Sequence, residues 1–267
     1  MVTHNALLID LDGVIYQGDQ LVTGAIDVLH WIKQQQIPHL FATNTTSRSR
    51  ASLLDKFETM GFSVGINEIM TPVVAVAQWL EIHQLHTVAL FVPAETQQDF
   101  GDVESVALNR DVAVDAVIVG DLGEAWDFQS MNRAFRFLMR DPQPTLIALG
   151  MTRYWRGPDG LRLDVAPFIK AFEHAASCEA VVVGKPAAVF FQSSLELLEC
   201  DARQAYMIGD DIAGDIDAAQ RCDIRGIQVK TGKFRDADLN VGIKPFAVLD
   251  SIADLPAWWR QAVDSNY

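Results

Sequence analysis

The chain has 267 residues, 49% of them hydrophobic, and a formal net charge of −14 with a pI near 4.7. That is enough apolar material for one large or two ordinary cores, and it is too acidic for a nucleic-acid backbone or an anionic membrane surface to be the main partner. Cys178, Cys200 and Cys222 are odd in number and form no CxxC pair, which excludes a disulfide framework or a zinc site as the organising device.

In chain order, "ALLID" reads as a strand buried on both faces that ends in Asp10-Leu11-Asp12-Gly13. The helical pattern "GAIDVLHWIKQQQ" follows, then a second apolar run, "PHLFATN", ending in Thr43-Asn44, then the helical "SRASLLDKFETMG". This alternation predicts parallel strands joined by right-handed crossovers, an α/β fold. Residues 81–180 carry strands of their own in "TVALFV", "AVDAVIVGD" and "PTLIALG", and helices near 127–139 and 166–176. They are too structured for a loop and read as a second α/β domain inserted into the first. The first pattern returns in "AVVVGKP", "AAVFFQSSLELLEC", "AYMIGDD", "AGDIDAAQRC" and "IRGIQVKTG", so 1–80 and 181–267 are expected to share one sheet. No apolar run approaches the roughly 18 residues of a membrane span, and the N-terminus lacks the pattern of a secretory signal, so the expected setting is soluble and cytoplasmic.

Open parallel sheets gather ligands outside the carboxyl ends of their strands. Four runs deliver chemistry there: Asp10-Leu11-Asp12-Gly13, Thr43-Asn44, Lys185, and Asp210-Asp211 with Asp215 a helical turn beyond. Carboxylate oxygens in that number suit Mg²⁺, with Asp10 and Asp210 as side-chain ligands. Lys185, the Thr43 hydroxyl and the loop N–H groups of residues 11–13 can hold the remaining oxygens of a phosphate. Gly13 lets the backbone come close. Asp10 then serves as a nucleophile that forms an aspartyl-phosphate, and Asp12 as the general acid and base.

Each piece has an ordinary structural reading as well. A DxD at a strand end commonly makes a turn, Thr43-Asn44 a helix N-cap for the segment from Ser47, and Lys185-Pro186 a solvated helix start. Asp210, Asp211 and Asp215 suit a helix N-terminus. The functional reading rests on all four occurring together.

On these residues the chain resembles the haloacid dehalogenase-like superfamily of Mg²⁺-dependent phosphohydrolases: "DLDGV", "FATN", "GKP" and "GDDIAGD" look like its four motifs, in order. The resemblance implies a Rossmann-like parallel-sheet core with an inserted α/β cap (81–180) that decides what enters. It implies Asp10 as nucleophile, Asp12 as acid/base and as metal ligand through its backbone carbonyl, Thr43 and Lys185 on the phosphate, and Asp210 on Mg²⁺. Leu11, Gly13 and Asn44 complete the implied phosphate site, and Asp211 and Asp215 would support the metal and Lys185. The insertion is similar to the cap of subfamily IIA, the NagD-like group. "DGVIYQGD", "TNTTSRSR", "YWRGPDGLRLDVAPFIKAFEHA" and "VKTGKF" resemble a branch of it, the phospholysine phosphohistidine inorganic pyrophosphate phosphatases and their haloacid dehalogenase-like domain-containing relatives. The expected partner is a small phosphorylated metabolite, and a homodimer through the cap is consistent with the subfamily.

A phosphomutase would use the same aspartate, and a receiver module shares clustered aspartates, a Thr and a Lys around Mg²⁺. The receiver is opposed by the length of this chain and by an aspartate on the first strand; a binding protein that merely retains the site is disfavoured because Asp10, Asp12, Lys185 and Asp210 are all present. In the insertion, Asp121, Glu124, Trp126, Asp127, Arg153, Tyr154, Trp155 and Arg156 are candidates for substrate contact, with core packing the commoner use of the aromatics. Trp258 and Trp259 in the last helix read as packing residues. None of His4, His30, His39, His83, His86 and His174 stands at a strand end with a partner.

Overall fold

The computed structural model describes residues 5–157 and 159–263, and of Arg156 and Gly157 only the backbone; His4 and the side chain of Arg156 therefore lie outside the described residues. The chain forms two compact units. One takes in the described residues up to Thr43, Leu54–Met70, and those from Phe191 onward; the other is Asn44–Leu53 with Thr71–Phe190.

The first unit is built on a six-stranded, all-parallel sheet. Its strands run Ala247–Leu249, Arg225–Val229, Ala205–Gly209, Ala6–Asp10, His39–Ala42 and Ile69–Met70 across the sheet. All five residues of Ala6–Asp10 are buried, as an unbroken apolar run demands when helices cover both faces. From this strand the chain first builds outward through His39–Ala42, and later returns on the other side through Ala205–Gly209. Ala6–Asp10 and Ala205–Gly209 thus flank the topological switch point of a Rossmann-like order. The helix Ala25–Gln34 buries Ala25, Val28, Leu29 and Ile32, spaced for one face. In the last helix, Leu255–Ala262, Trp259 lies 5.2 Å from Tyr206 and 6.3 Å from Trp31, ring to ring, so it is a packing residue as expected.

The second unit holds a five-stranded parallel sheet in the order Val181–Val182, Thr145–Ala148, Ala116–Val119, Thr87–Phe91 and Glu104–Ser105. Alternate residues of its strands feed two cores. Phe91, Val117, Leu146 and Ala148 meet the helices Phe128–Leu138 and Val165–Ala176 on one face, while Leu90, Ile118 and Ile147 meet Val73, Val76 and Leu80 of the helix Pro72–Ile82 on the other. One expectation is corrected here: the run "AVVVG" does not join the sheet of the other three site-bearing runs. Its strand Val181–Val182 pairs with Ile147 and Ala148 at the edge of the second sheet. An apolar run long enough for a buried strand fits either parallel sheet, and packing decides, with Val183 buried among Leu149, Val92 and Val73. Among the described residues no helix is long and apolar enough to cross a membrane.

Candidate active site

At the switch point of the first sheet, Asp10 ends its strand and Asp210 follows directly on the neighbouring one. Asp215 joins them from the short helical segment Ile212–Asp217, and carboxylate oxygens of Asp10, Asp210 and Asp215 lie within 4.8 Å of one another. All three residues are at least nine-tenths buried. Asp215 can fold back only because residue 209 is glycine, since a Cβ there would stand 2.4 Å from the Cβ of Asp215. Asp211 faces elsewhere: its Oδ1 accepts the N–H groups of Ala213 and Gly214, capping the segment, and its Oδ2 lies 3.3 Å from the Lys233 ammonium. Burial alone would raise the Asp211 carboxyl, but these donors and that cation hold it below the usual carboxylate range.

Asp210 is held from behind. Its Oδ2 accepts the Lys233 N–H at 2.7 Å, and its backbone carbonyl accepts the fully buried Gln228 amide at 2.8 Å. Gly13 and Gly232, both at positive φ, press against the carboxylate; a Cβ at either would lie 2.0 Å from Oδ2, and the Thr231 hydroxyl donates to the Gly13 carbonyl beside them. The other oxygen, Oδ1, is shut off from solvent with no hydrogen-bond partner among the described residues. An orphaned carboxylate oxygen beside two further buried carboxylates fits a hard divalent cation. Burial raises the Asp210 carboxyl to about 6, with the charges of Asp215 and Asp211 adding to it and the Lys233 N–H opposing. Burial works against the charge on Lys233, yet the carboxylates of Asp211, Asp210, Asp215 and Asp10 hold its pKa above the ordinary lysine value.

A carboxyl raised in the folded state binds its proton more tightly folded than unfolded, so its contribution to stability is present at low pH and is lost as pH rises from about 4 through about 6. A divalent cation takes the place of that proton only where the carboxyl is ionised. The thermal midpoint gained on adding Mg²⁺ to chelator-treated protein is therefore expected to be larger at pH 7.5 than at pH 5, and Asp210→Asn should flatten the difference; differential scanning calorimetry at the two pH values checks it.

Around this cluster, the loop from Leu11 to Tyr16 makes a tight turn, with the Gly13 N–H donating to the Tyr16 carbonyl and the Ile15 N–H to that of Leu11. Leu11 is fully buried, and the Asp12 residue is exposed. Thr43 follows the adjacent strand, its N–H donating to the Met70 carbonyl. Asn44 and Lys185 belong to the second unit and are tied to one another. The Asn44 amide donates to the Lys185 carbonyl and its oxygen accepts the Lys185 N–H, both at 2.8 Å. Asn44 thus fixes the main chain of the buried Lys185 and does not cap the helix Arg50–Thr59, where Ser49 Oγ accepts from the Ser52 N–H. Asn44 also borders a cavity of about 270 Å³ lined by Arg48, Asp121, Trp155 and Asp164 among others. Burial raises the Asp121 carboxyl and, with the neighbouring charge of Asp121, that of Asp164.

Of the other residues singled out in the insertion, Trp126 is stacked between Phe91 and Phe168 at 5.9 and 4.8 Å, Asp127 caps its helix, and Glu124 pairs with Arg162 at 3.4 Å. Arg153 lies over Tyr154. Gln228, Thr231, Gly232 and Lys233 had no assigned role in the sequence, although "VKTGKF" contains three of them. Their contacts with residues 13, 210 and 211 span from 18 to 219 positions, beyond any local pattern.

A Rossmann-like parallel sheet with buried carboxylates gathered at its switch point defines a carboxylate centre suited to a hard divalent cation. The chain belongs to the haloacid dehalogenase-like hydrolase family and is a phosphohydrolase. The family model described as haloacid dehalogenase-like hydrolase matches residues 7–104, and a HAD-hydrolase-like model matches residues 182–255. The chain is 36% identical over 253 residues to phospholysine phosphohistidine inorganic pyrophosphate phosphatase of Homo sapiens, covering 93% of this chain and 91% of that one. It is 37% identical over 233 residues to haloacid dehalogenase-like hydrolase domain-containing protein 2 of Rattus norvegicus, covering 87% and 86%. Among solved structures, the p-nitrophenyl phosphatase from Archaeoglobus fulgidus superposes with a TM-score of 0.84 at 25% identity, over 95% of this chain and 98% of that one. NagD from E. coli K-12 gives 0.85 at 21% identity over 95% and 98%, a likeness of fold.

Proposed function

We propose that the chain is a Mg²⁺-dependent phosphatase that hydrolyses a small phosphorylated metabolite through an aspartyl-phosphate on Asp10. The observation that carries the reading is the trio Asp10, Asp210 and Asp215, with its orphaned Asp210 oxygen, at the carboxyl ends of the two strands flanking the switch point. Asp10, Asp210, Asp215 and the Asp12 carbonyl would hold Mg²⁺, which when bound neutralises charge on the phosphoryl oxygens and on the carboxylates around it. Lys185, the Thr43 hydroxyl and the N–H groups of residues 11–13 bind the phosphoryl group. A carboxylate oxygen of Asp10 attacks phosphorus, the bond from phosphorus to the leaving oxygen breaks, and Asp12 gives that oxygen its proton. Asp12, now a carboxylate, takes a proton from water, whose oxygen attacks phosphorus and releases phosphate from Asp10. The exposed position of Asp12 allows this exchange with water. Residues 81–180 act in this reading as the cap that selects the leaving group and excludes water during the first transfer. Three thiols in an unbridged chain support a cytoplasmic setting, and a homodimer through the cap completes the proposal.

The test is hydrolysis of p-nitrophenyl phosphate by chelator-treated protein with Mg²⁺ added back; activity independent of divalent cations would overturn the metal assignment. The relatives named for phospholysine, phosphohistidine and inorganic pyrophosphate make those compounds the first members of a natural substrate panel. In the same assay Asn44→Ala is expected to lower kcat/KM about tenfold, because both clamps on the Lys185 main chain go and a hydrogen bond to a buried group is worth about 1–3 kcal/mol. An unchanged kcat/KM in the folded variant would remove Lys185 positioning from the account.

A further inference from the structure

The second unit carries a groove of about 540 Å³ bordered by Phe91, Asn109, Gln129, Arg133 and Arg136 among others. Its walls come from the carboxyl end of the strand Thr87–Phe91 and from the helix Phe128–Leu138, which follows the strand Ala116–Val119. Those two strands are neighbours, and from them the chain builds outward to opposite edges of the sheet. The groove therefore borders the switch point of this second sheet, the place where open α/β sheets take ligands.

Its arginines are unmatched. The Arg133 guanidinium lies 4.5 Å from the centre of the Phe137 ring, and its Nε and Nη2 are shut off from solvent without an acceptor. Donors of a charged group that have given up water for the face of one ring, with no acceptor, remain costly, and native structures rarely leave them so. Among the described residues neither Arg133 nor Arg136 has an ion-pair partner, in a chain with 35 acidic side chains. Asp127 on the groove wall does not serve: its Oδ1 accepts the Ser130 N–H at 2.7 Å as the helix cap. Gln129, Arg133 and Arg136 recur at the i, i+4, i+7 spacing of one helix face, which lines up their donors along the groove.

We propose that this groove binds a small metabolite bearing a phosphoryl group, with Arg133 and Arg136 on its oxygens. The Arg136 guanidinium, the Nη1 end of Arg133 and the amides of Asn109 and Gln129 offer more donors than the two oxygens of a carboxylate can accept, whereas a phosphoryl group can take them. None of the residues bordering the groove is assigned to catalysis, so the proposal does not rest on the catalytic reading.

The experiment is a titration of the full chain with inorganic phosphate, read at the Arg133 Nε–H resonance by ¹H–¹⁵N NMR, assigned by its loss in Arg133→Lys. The expected result is a saturable shift of that resonance at millimolar phosphate, weakened about tenfold or more in Arg136→Gln. An unmoved resonance in the wild type overturns the proposal. A shift that never saturates, or that persists unchanged in Arg136→Gln, also overturns it, since the first is ionic screening and the second is transmitted from phosphate bound elsewhere.

Discussion

Asp10→Asn is expected to lower kcat for p-nitrophenyl phosphate by at least about 10³-fold while leaving the fold in place. The amide keeps the shape of the carboxylate but cannot attack phosphorus. The structural effect is expected to be small because the substitution removes one of three buried negative groups that lie within 4.8 Å of each other. Without a cation these repel, which offsets loss of the attraction between Asp10 and the Lys233 ammonium, so the thermal midpoint of the variant in chelator should stay close to that of the wild type. Steady-state kinetics with Mg²⁺ in excess and a thermal scan in chelator check both halves. A folded variant that retained most of its kcat would require another nucleophile.

Gly232→Ala is expected to damage the centre from a residue that carries no functional group. Its φ of +62° already disfavours a side chain, and a Cβ there would lie 2.0 Å from Asp210 Oδ2 and 2.6 Å from the Gly13 Cα. The backbone strain costs about 1–2 kcal/mol. The clash acts on the centre itself, because Asp210 must leave its place against the Lys233 N–H. The expected outcome is a loss of about 2–3 kcal/mol in stability and a fall of tenfold or more in Mg²⁺ affinity. Gly61→Ala separates the two effects: its φ is +82°, yet nothing lies within 4 Å of the added Cβ. It should show the strain alone, with Mg²⁺ affinity unchanged by isothermal titration. Equal affinity losses in both variants would remove the Gly232 contact from the account.

The parallel sheets were legible because long apolar runs separated by amphipathic segments admit few other arrangements. The gathering of Asp10 with Asp210 was legible for the same reason, since each stands where a buried run ends. What escaped lies at long sequence separation. No period or spacing says that Gly232 must be glycine because Asp210 occupies the space of its missing Cβ. Nor does one say that Gln228, in mid-strand, is there to hold the Asp210 carbonyl. Asn44 carried a cap-like local pattern, yet its amide is spent on Lys185, 141 residues away. The strand before Lys185 was expected in the first sheet and lies in the second, because an apolar run records burial and leaves its neighbour open. Residues 211 and 215 looked alike as acids near a helix start. Position relative to Gly209 separates them, one turned to the cap and to Lys233, the other into the carboxylate cluster.

The most direct test of the central claim is to mix the wild-type protein with Mg²⁺ and p-nitrophenyl phosphate, quench in acid during turnover, and locate any phosphoryl adduct by peptide mass spectrometry. The expected result is an adduct on the peptide containing Asp10, at the Asp10 carboxylate and absent from Asp10→Asn. Sustained release of p-nitrophenol with no adduct, or with the phosphoryl group on a different residue, would contradict it.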